Sequence, residues 1–90
     1  MHLLCRNRVE HYSKWKAVFT SHTDAHCNAG LRLVRLWRAI DDPKNVFFLF
    51  EVENAEKARE FISNPDAAKA AKASGVIEGE YHLLEDASGY

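Results

Sequence analysis

Leu31-Arg32-Leu33-Val34-Arg35-Leu36-Trp37-Arg38-Ala39-Ile40 is the stretch on which the fold turns. Arg32, Arg35 and Arg38 repeat every three residues, which reads as the wet face of a helix. The flanks favour a strand instead. Gly30 stands where a preceding helix wants its left-handed C-terminal residue. Asp41-Asp42-Pro43-Lys44-Asn45 is a strong turn signal before a further strand. That strand, Val46-Phe47-Phe48-Leu49-Phe50-Glu51-Val52, opens with five consecutive apolar residues. Such a run is expected to be covered on both faces.

Working back from Gly30, Tyr12, Trp15, Phe19, His22 and His26 recur at steps of three and four. They share one face of a long helix expected from about His11 to Asn28. The stripe begins aromatic and ends in histidine. Buried polar groups need partners, so the inner end of this helix should face a polar pocket, a ligand or side chains of a neighbouring strand. Before it, Leu3 to Val9 alternates as a strand does, with Asn7 on the more apolar face.

Working forward from Val52, Asn54 opens a second helix with Ala55, Ala58, Phe61 and Ile62 inward, and Asn64-Pro65 stops it. Asp66 to Ser74 is an Ala-rich helical turn or two, closed by Gly75. Val76 to Glu85 is the last strand, with Tyr81 and Leu83 opposite His82 and Leu84. Asp86 to Tyr90 reads as a polar tail. The order β-α-β-β-α-β, joined by right-handed crossovers, implies an α+β, ferredoxin-like domain spanning residues 1–90. Its four-stranded antiparallel sheet would carry both helices on one face. The other face of the third strand then needs a cover, and a second copy of the same sheet is the simplest one.

Composition narrows the function classes. Ninety residues make one domain, which buries about 60–65% of its unfolded surface, so self-association would help it. A net charge of −1 gives no footprint for nucleic acid or an anionic membrane. Cys5 and Cys27 form no CxxC pair and fit reduced thiols. The opening run is too short for a signal peptide, since Arg6 interrupts it, and no window matches a membrane span. The expectation is a cytoplasmic protein. The scattered glycines exclude a phosphate loop, and no GxSxG elbow or Cys–His nucleophile motif is present. The arginine trio straddles both faces of its strand and reads as partners for acids rather than a nucleic-acid surface.

Val9-Glu10-His11-Tyr12-Ser13-Lys14-Trp15-Lys16-Ala17-Val18-Phe19 resembles the V-x-D-Y-x-K-W-K-x-V-F opening of small dimeric α+β barrel proteins, the cyclase-like and antibiotic-biosynthesis-monooxygenase-like group. Ala29-Gly30-Leu31, Asp41-Asp42-Pro43, Glu56-Lys57-Ala58-Arg59, Gly75-Val76 and Tyr81-His82-Leu83-Leu84-Glu85 sit where that group carries similar segments. His11 departs from the group's Asp and is a poorer N-cap. The resemblance implies a ligand cavity between helices and sheet, and chemistries that include cofactor-free oxygenation, polyketide cyclisation and haem degradation. In haem-degrading relatives an Asn on the first strand works with a Trp and a helical His that ligates iron. The second helix here, Asn54 to Asn64, has no His, which argues against that pattern.

Several residues are candidates for chemistry. His22 could abstract a phenol or enol proton, set against the plainer role of a satisfied core histidine. His22 and His26 are one turn apart, a metal-binding spacing, but no acid shares their face; no metal and no cofactor is expected. Trp15, Phe19, Trp37, Phe48 and Tyr81 could wall a pocket for a flat ring system, or simply be core and dimer interface, the better reading for Phe48. Asn7 could orient a carbonyl. The resulting expectation is a cytoplasmic homodimer holding a small aromatic or polyketide-like molecule, as a cofactor-independent monooxygenase or cyclase. His22 would be catalytic, with Asn7, Trp15, Phe19, His26, Trp37 and Tyr81 binding the ligand. The alternative is a non-catalytic binding or accessory dimer with structural histidines.

Overall fold

A computed structural model describes residues 1–87; residues 88–90 of the expected polar tail lie outside it. The chain runs β1 (His2–Val9), α1 (Tyr12–Ser21), α2 (Thr23–Asn28), β2 (Leu31–Arg38), β3 (Asn45–Val52), α3 (Ala55–Ser63), α4 (Pro65–Ala73), β4 (Val76–Leu84). The strands form one antiparallel sheet in the order β2-β3-β1-β4. This is the ferredoxin-like α+β arrangement expected from the order of elements, with each helical layer in two pieces.

Leu31–Arg38 is a strand. Gly30, at a φ of 71°, turns the chain out of α2 in a conformation that L side chains rarely adopt. The turn after β2 is held by Asp42, whose carboxylate accepts from the Lys44 and Asn45 nitrogens at 3.2 and 3.1 Å. Both later helices are capped as their sequences suggest. Asn54 Oδ1 accepts from the Lys57 amide at 3.1 Å, and Asn64 Oδ1 from the Asp66 amide at 2.8 Å with Pro65 opening α4.

The first helix departs from expectation. It is not continuous from His11 to Asn28 but breaks at His22, which sits at φ −100° and ψ 16°. The cause is local. Ser21 Oγ donates to the Val18 carbonyl at 2.6 Å, and His22 Nδ1 to the same carbonyl at 2.8 Å. Thr23 Oγ1 donates to the Thr20 carbonyl at 2.7 Å. Three consecutive side chains thus compete with the backbone for helical acceptors, which bends a helix.

The helix-bearing face of the sheet is built by period-two alternation. Leu3, Cys5, Asn7 and Val9 of β1 and Val46, Phe48, Phe50 and Val52 of β3 are all buried there, against Trp15, Leu31 and Ala58. Trp15 is the largest of these, and truncating such a side chain costs about 3–5 kcal/mol. The opposite face carries no helix. Phe47 and Leu49 of β3 are half-buried there by their neighbours.

A bulge decides which residues of β2 share each face. Leu33 pairs with Phe50 but Arg35 pairs with Leu49, so Val34 is the extra residue. Leu36 then falls beside Phe48, and Trp37 beside Phe47 on the open face. Arg38 returns to the helix side, its guanidinium 4.3 Å from the Tyr12 ring centroid. Among the described residues no helix is long and apolar enough to cross a membrane.

Candidate functional site

The helices do not seal against the sheet. A cleft of about 550 Å³ remains between them. Its floor is Leu3, Cys5 and Asn7 of β1, Phe48 and Phe50 of β3, and Tyr81 of β4. One wall is Trp15, Phe19, His22 and His26 of the broken first helix; Phe61 of α3 and Ala67, Ala70 and Ala71 of α4 supply another. The small alanines of α4 leave the room that larger side chains would fill. Lys57, Glu60, Asn64 and Asp66 are exposed at the edge.

The aromatic wall is continuous. The Trp15 and Phe19 rings stack at 4.7 Å, and Phe19 meets Phe48 edge-on at 5.0 Å. Trp15 is held at its polar end. The Asn7 amide, oriented by its hydrogen-bonding surroundings, accepts from Trp15 Nε1 at 3.3 Å and donates to the Arg6 carbonyl at 3.1 Å. Asn7 is therefore a buried strand residue that fixes an indole, and both line the cleft.

The two histidines differ. Because a carbonyl only accepts, His22 Nδ1 carries the hydrogen it donates to Val18, and in the neutral ring Nε2 keeps its lone pair. His22 is half-buried at the junction of α1 and α2. His26 instead sits among three phenyl rings, 4.9 Å from Phe19, 5.1 Å from Phe50 and 5.7 Å from Phe61. Burial lowers its pKa from the usual 6.5, and the neighbouring His22 lowers it further. Among the described residues no third His, Cys, Asp or Glu joins the pair in a metal-holding group.

Two more titratable groups face the cleft. The Cys5 thiol is fully buried and pushed up to about 12 by that burial. The Tyr81 hydroxyl is raised, first by burial and then by Cys5 beside it. Neither ionises near neutrality, so neither is a ready nucleophile or base.

The cleft brings together Asn7, Trp15, Phe19, His22, His26 and Tyr81 of the residues singled out from the sequence. Trp37 is a correction. It does not line the cleft; the register with Phe47 puts it on the other side of the sheet, where it is 46% exposed. The phenylalanine cage around His26 was not read from the sequence. Its members come from α1, β3 and α3. Phe61 was visible as an inward residue and Phe50 as a member of an apolar run covered on both faces, but nothing local said that they meet the same imidazole.

No protein-family profile and no curated protein matches the chain. Solved structures do match its fold. A candidate antibiotic biosynthesis monooxygenase from Bordetella bronchiseptica superposes with a TM-score of 0.74 at 16% identity, covering 94% of each chain. A second candidate of the same description, from Deinococcus radiodurans, gives 0.68 at 11% identity over 100% of this chain and 96% of its own. An uncharacterised NIPSNAP domain protein from Burkholderia xenovorans gives 0.65 at 13% identity over 100% and 98%. The chain therefore shares the ferredoxin-like α+β fold of these structures. At such identities the likeness carries the fold alone, and a fold of this kind hosts many chemistries.

Proposed function

We propose that the protein is a homodimer whose subunits each bind a flat aromatic or polyketide-like molecule in this cleft. It converts that molecule, as a monooxygenase or cyclase, without a resident cofactor. The observation that carries the reading is the aromatic-walled cleft of about 550 Å³ with two imidazoles on one wall, within the size range of small-molecule sites.

His22 is the proposed proton acceptor. Its ring is oriented by the Nδ1–H bond to Val18, which leaves Nε2 as the basic atom. Loss of a proton from an activated ring carbon leaves the electron pair on the substrate. That carbanion can close a ring or reduce dioxygen. In the oxygenase case a CH₂ group and O₂ give a carbonyl and water, so the substrate supplies every electron. The candidate monooxygenases of the same fold support this reading by analogy.

The open face of the sheet supports the dimer. Trp37, Phe47, Leu49 and Leu4 present apolar groups there, and Arg6 and Arg32 are tied to Glu78, Glu80 and Glu51 around them. A second copy seated face to face would bury this patch.

Native mass spectrometry of the purified protein tests both halves of the proposal. The expected spectrum is a dimer that gains the mass of an added hydroxylated polycyclic aromatic, one per subunit. A monomer that takes up no such compound would refute it.

A further inference from the structure

The proposed cleft has an imidazole where packing alone would favour a phenyl ring. His26 is ringed by Phe19, Phe50 and Phe61, with centroids 4.9 to 5.7 Å away. A phenylalanine would complete that cluster at no desolvation cost. The imidazole brings one donor and one acceptor that must leave water to enter it. Its ring makes none of the side-chain hydrogen bonds found among the described residues, yet no buried nitrogen there is left orphaned. Its nitrogens therefore keep access to solvent, and His26 lines the cleft.

The position of His26 within the cleft adds a length. The ring lies over Phe50, which pairs with Leu3 at one end of β1. Asn7, which holds Trp15, is four residues further along the same strand. That separation is about 13 Å at strand spacing. Along that length the Trp15, Phe19 and His26 rings follow one another at 4.7 and 4.9 Å, an aromatic wall against which a flat polycyclic ligand can lie.

We infer that His26 is the specificity-determining residue of the cleft, accepting a hydrogen bond from a hydroxyl group at one end of a flat polycyclic ligand. The inference rests on the reading of the cleft as an aromatic-ligand site. The groups packed on the imidazole suit an acceptor. Its neighbour on the first helical layer is His22, the inward face of β3 offers only Val46, Phe48, Phe50 and Val52, and α3 offers Lys57 and Glu60 near Phe61. No carboxylate is bonded to the ring to hold a proton on it, and burial favours the uncharged form. A hydroxyl donor satisfies the ring nitrogen. A methyl group in its place strands that nitrogen in an apolar cage, the situation in which discrimination is large.

The test compares 2-hydroxyanthraquinone with its isostere 2-methylanthraquinone, by quenching of tryptophan fluorescence. The native protein is expected to bind the hydroxyl compound roughly tenfold or more tightly. In His26→Phe, which the cage should accept as a folded and at least equally heat-stable protein, the two are expected to bind alike. His11→Gln, outside the cleft, is expected to keep the native ratio. A ring-nitrogen NMR shift of His26 in the unmutated protein, seen with the hydroxyl compound and not with the methyl one, gives the same answer without a variant. Equal binding by the native protein, or a native ratio surviving in His26→Phe, would overturn the assignment of His26 alone. Failure of both compounds to bind the native protein would instead overturn the reading of the cleft, and the inference with it.

Discussion

Gly79 stands directly opposite Asn7 in the β1–β4 ladder, and a Cβ at Gly79 would come within 3.0 Å of the Asn7 amide. The missing side chain on one strand is the space for the amide that fixes Trp15 from the other. Gly79→Ala should push the amide off the indole. The expected loss is about 1–2 kcal/mol, combining a strained contact with a broken buried hydrogen bond. Thermal unfolding would measure it. Asn7→Ala and Gly79→Ala together should cost less than their sum, because both act on the same bond. Strict additivity would disprove the linkage.

His26 makes stability depend on pH. Its folded pKa lies below the usual 6.5, so the unfolded chain binds the proton more readily. The contribution is complete above about 6.5 and is lost as pH falls toward the folded value. Asp42 and Glu80, lowered mainly by hydrogen bonds from Arg8 and Arg6, act further down, below their ordinary 3.8 and 4.5. Urea midpoints should therefore begin to drop between about pH 7 and pH 5. In His26→Phe that drop should vanish; its persistence would assign it to another group.

His22 ties the helix break together and carries the proposed base. His22→Gln should fold, with about 1 kcal/mol lost from the bond to Val18. Turnover of a hydroxylated polycyclic aromatic that the native protein binds and converts should fall on the order of a hundredfold. Activity per folded molecule is the quantity to compare, and an unchanged value would leave His22 as a helix-junction residue only.

Phe47 is the outward member of the Phe47–Phe48 pair, since Phe48 is buried under the helices. Covering such a side chain is worth roughly 1.5–3 kcal/mol. The native chain is expected to sediment as a dimer at micromolar concentration, and Phe47→Glu as a monomer or as aggregated protein. A native chain that sediments as a stable monomer would end the barrel reading.

The two cysteines should react very differently. Cys27 is exposed, whereas Cys5 is buried with its thiol pushed up to about 12. Titration with a disulfide reagent should modify one thiol of the native protein promptly and the second only on unfolding. Rapid reaction of both would mean that the floor of the cleft opens more than its packing suggests.

The order and type of the elements were legible in the sequence, because alternation, helical spacing and turn residues are local properties of the chain. Gly30 and Asp42-Pro43 bracketed β2 correctly against its misleading arginine period. The helical stripe also put Trp15, Phe19, His22 and His26 on the inner side. Tertiary structure decided the rest. Backbone competition from Ser21, His22 and Thr23 split the first helix, although its stripe reads as unbroken. One bulged residue, Val34, set which side chains of β2 face Phe48 and which face Phe47, and so moved Trp37 away from the cleft. In a strand a single-residue slip exchanges the faces, so alternation alone cannot assign them. The cage of His26 needed three elements, distant in sequence, to converge on one ring. Each contributes an ordinary inward phenylalanine, and only their meeting turns a helix histidine into a candidate for recognition.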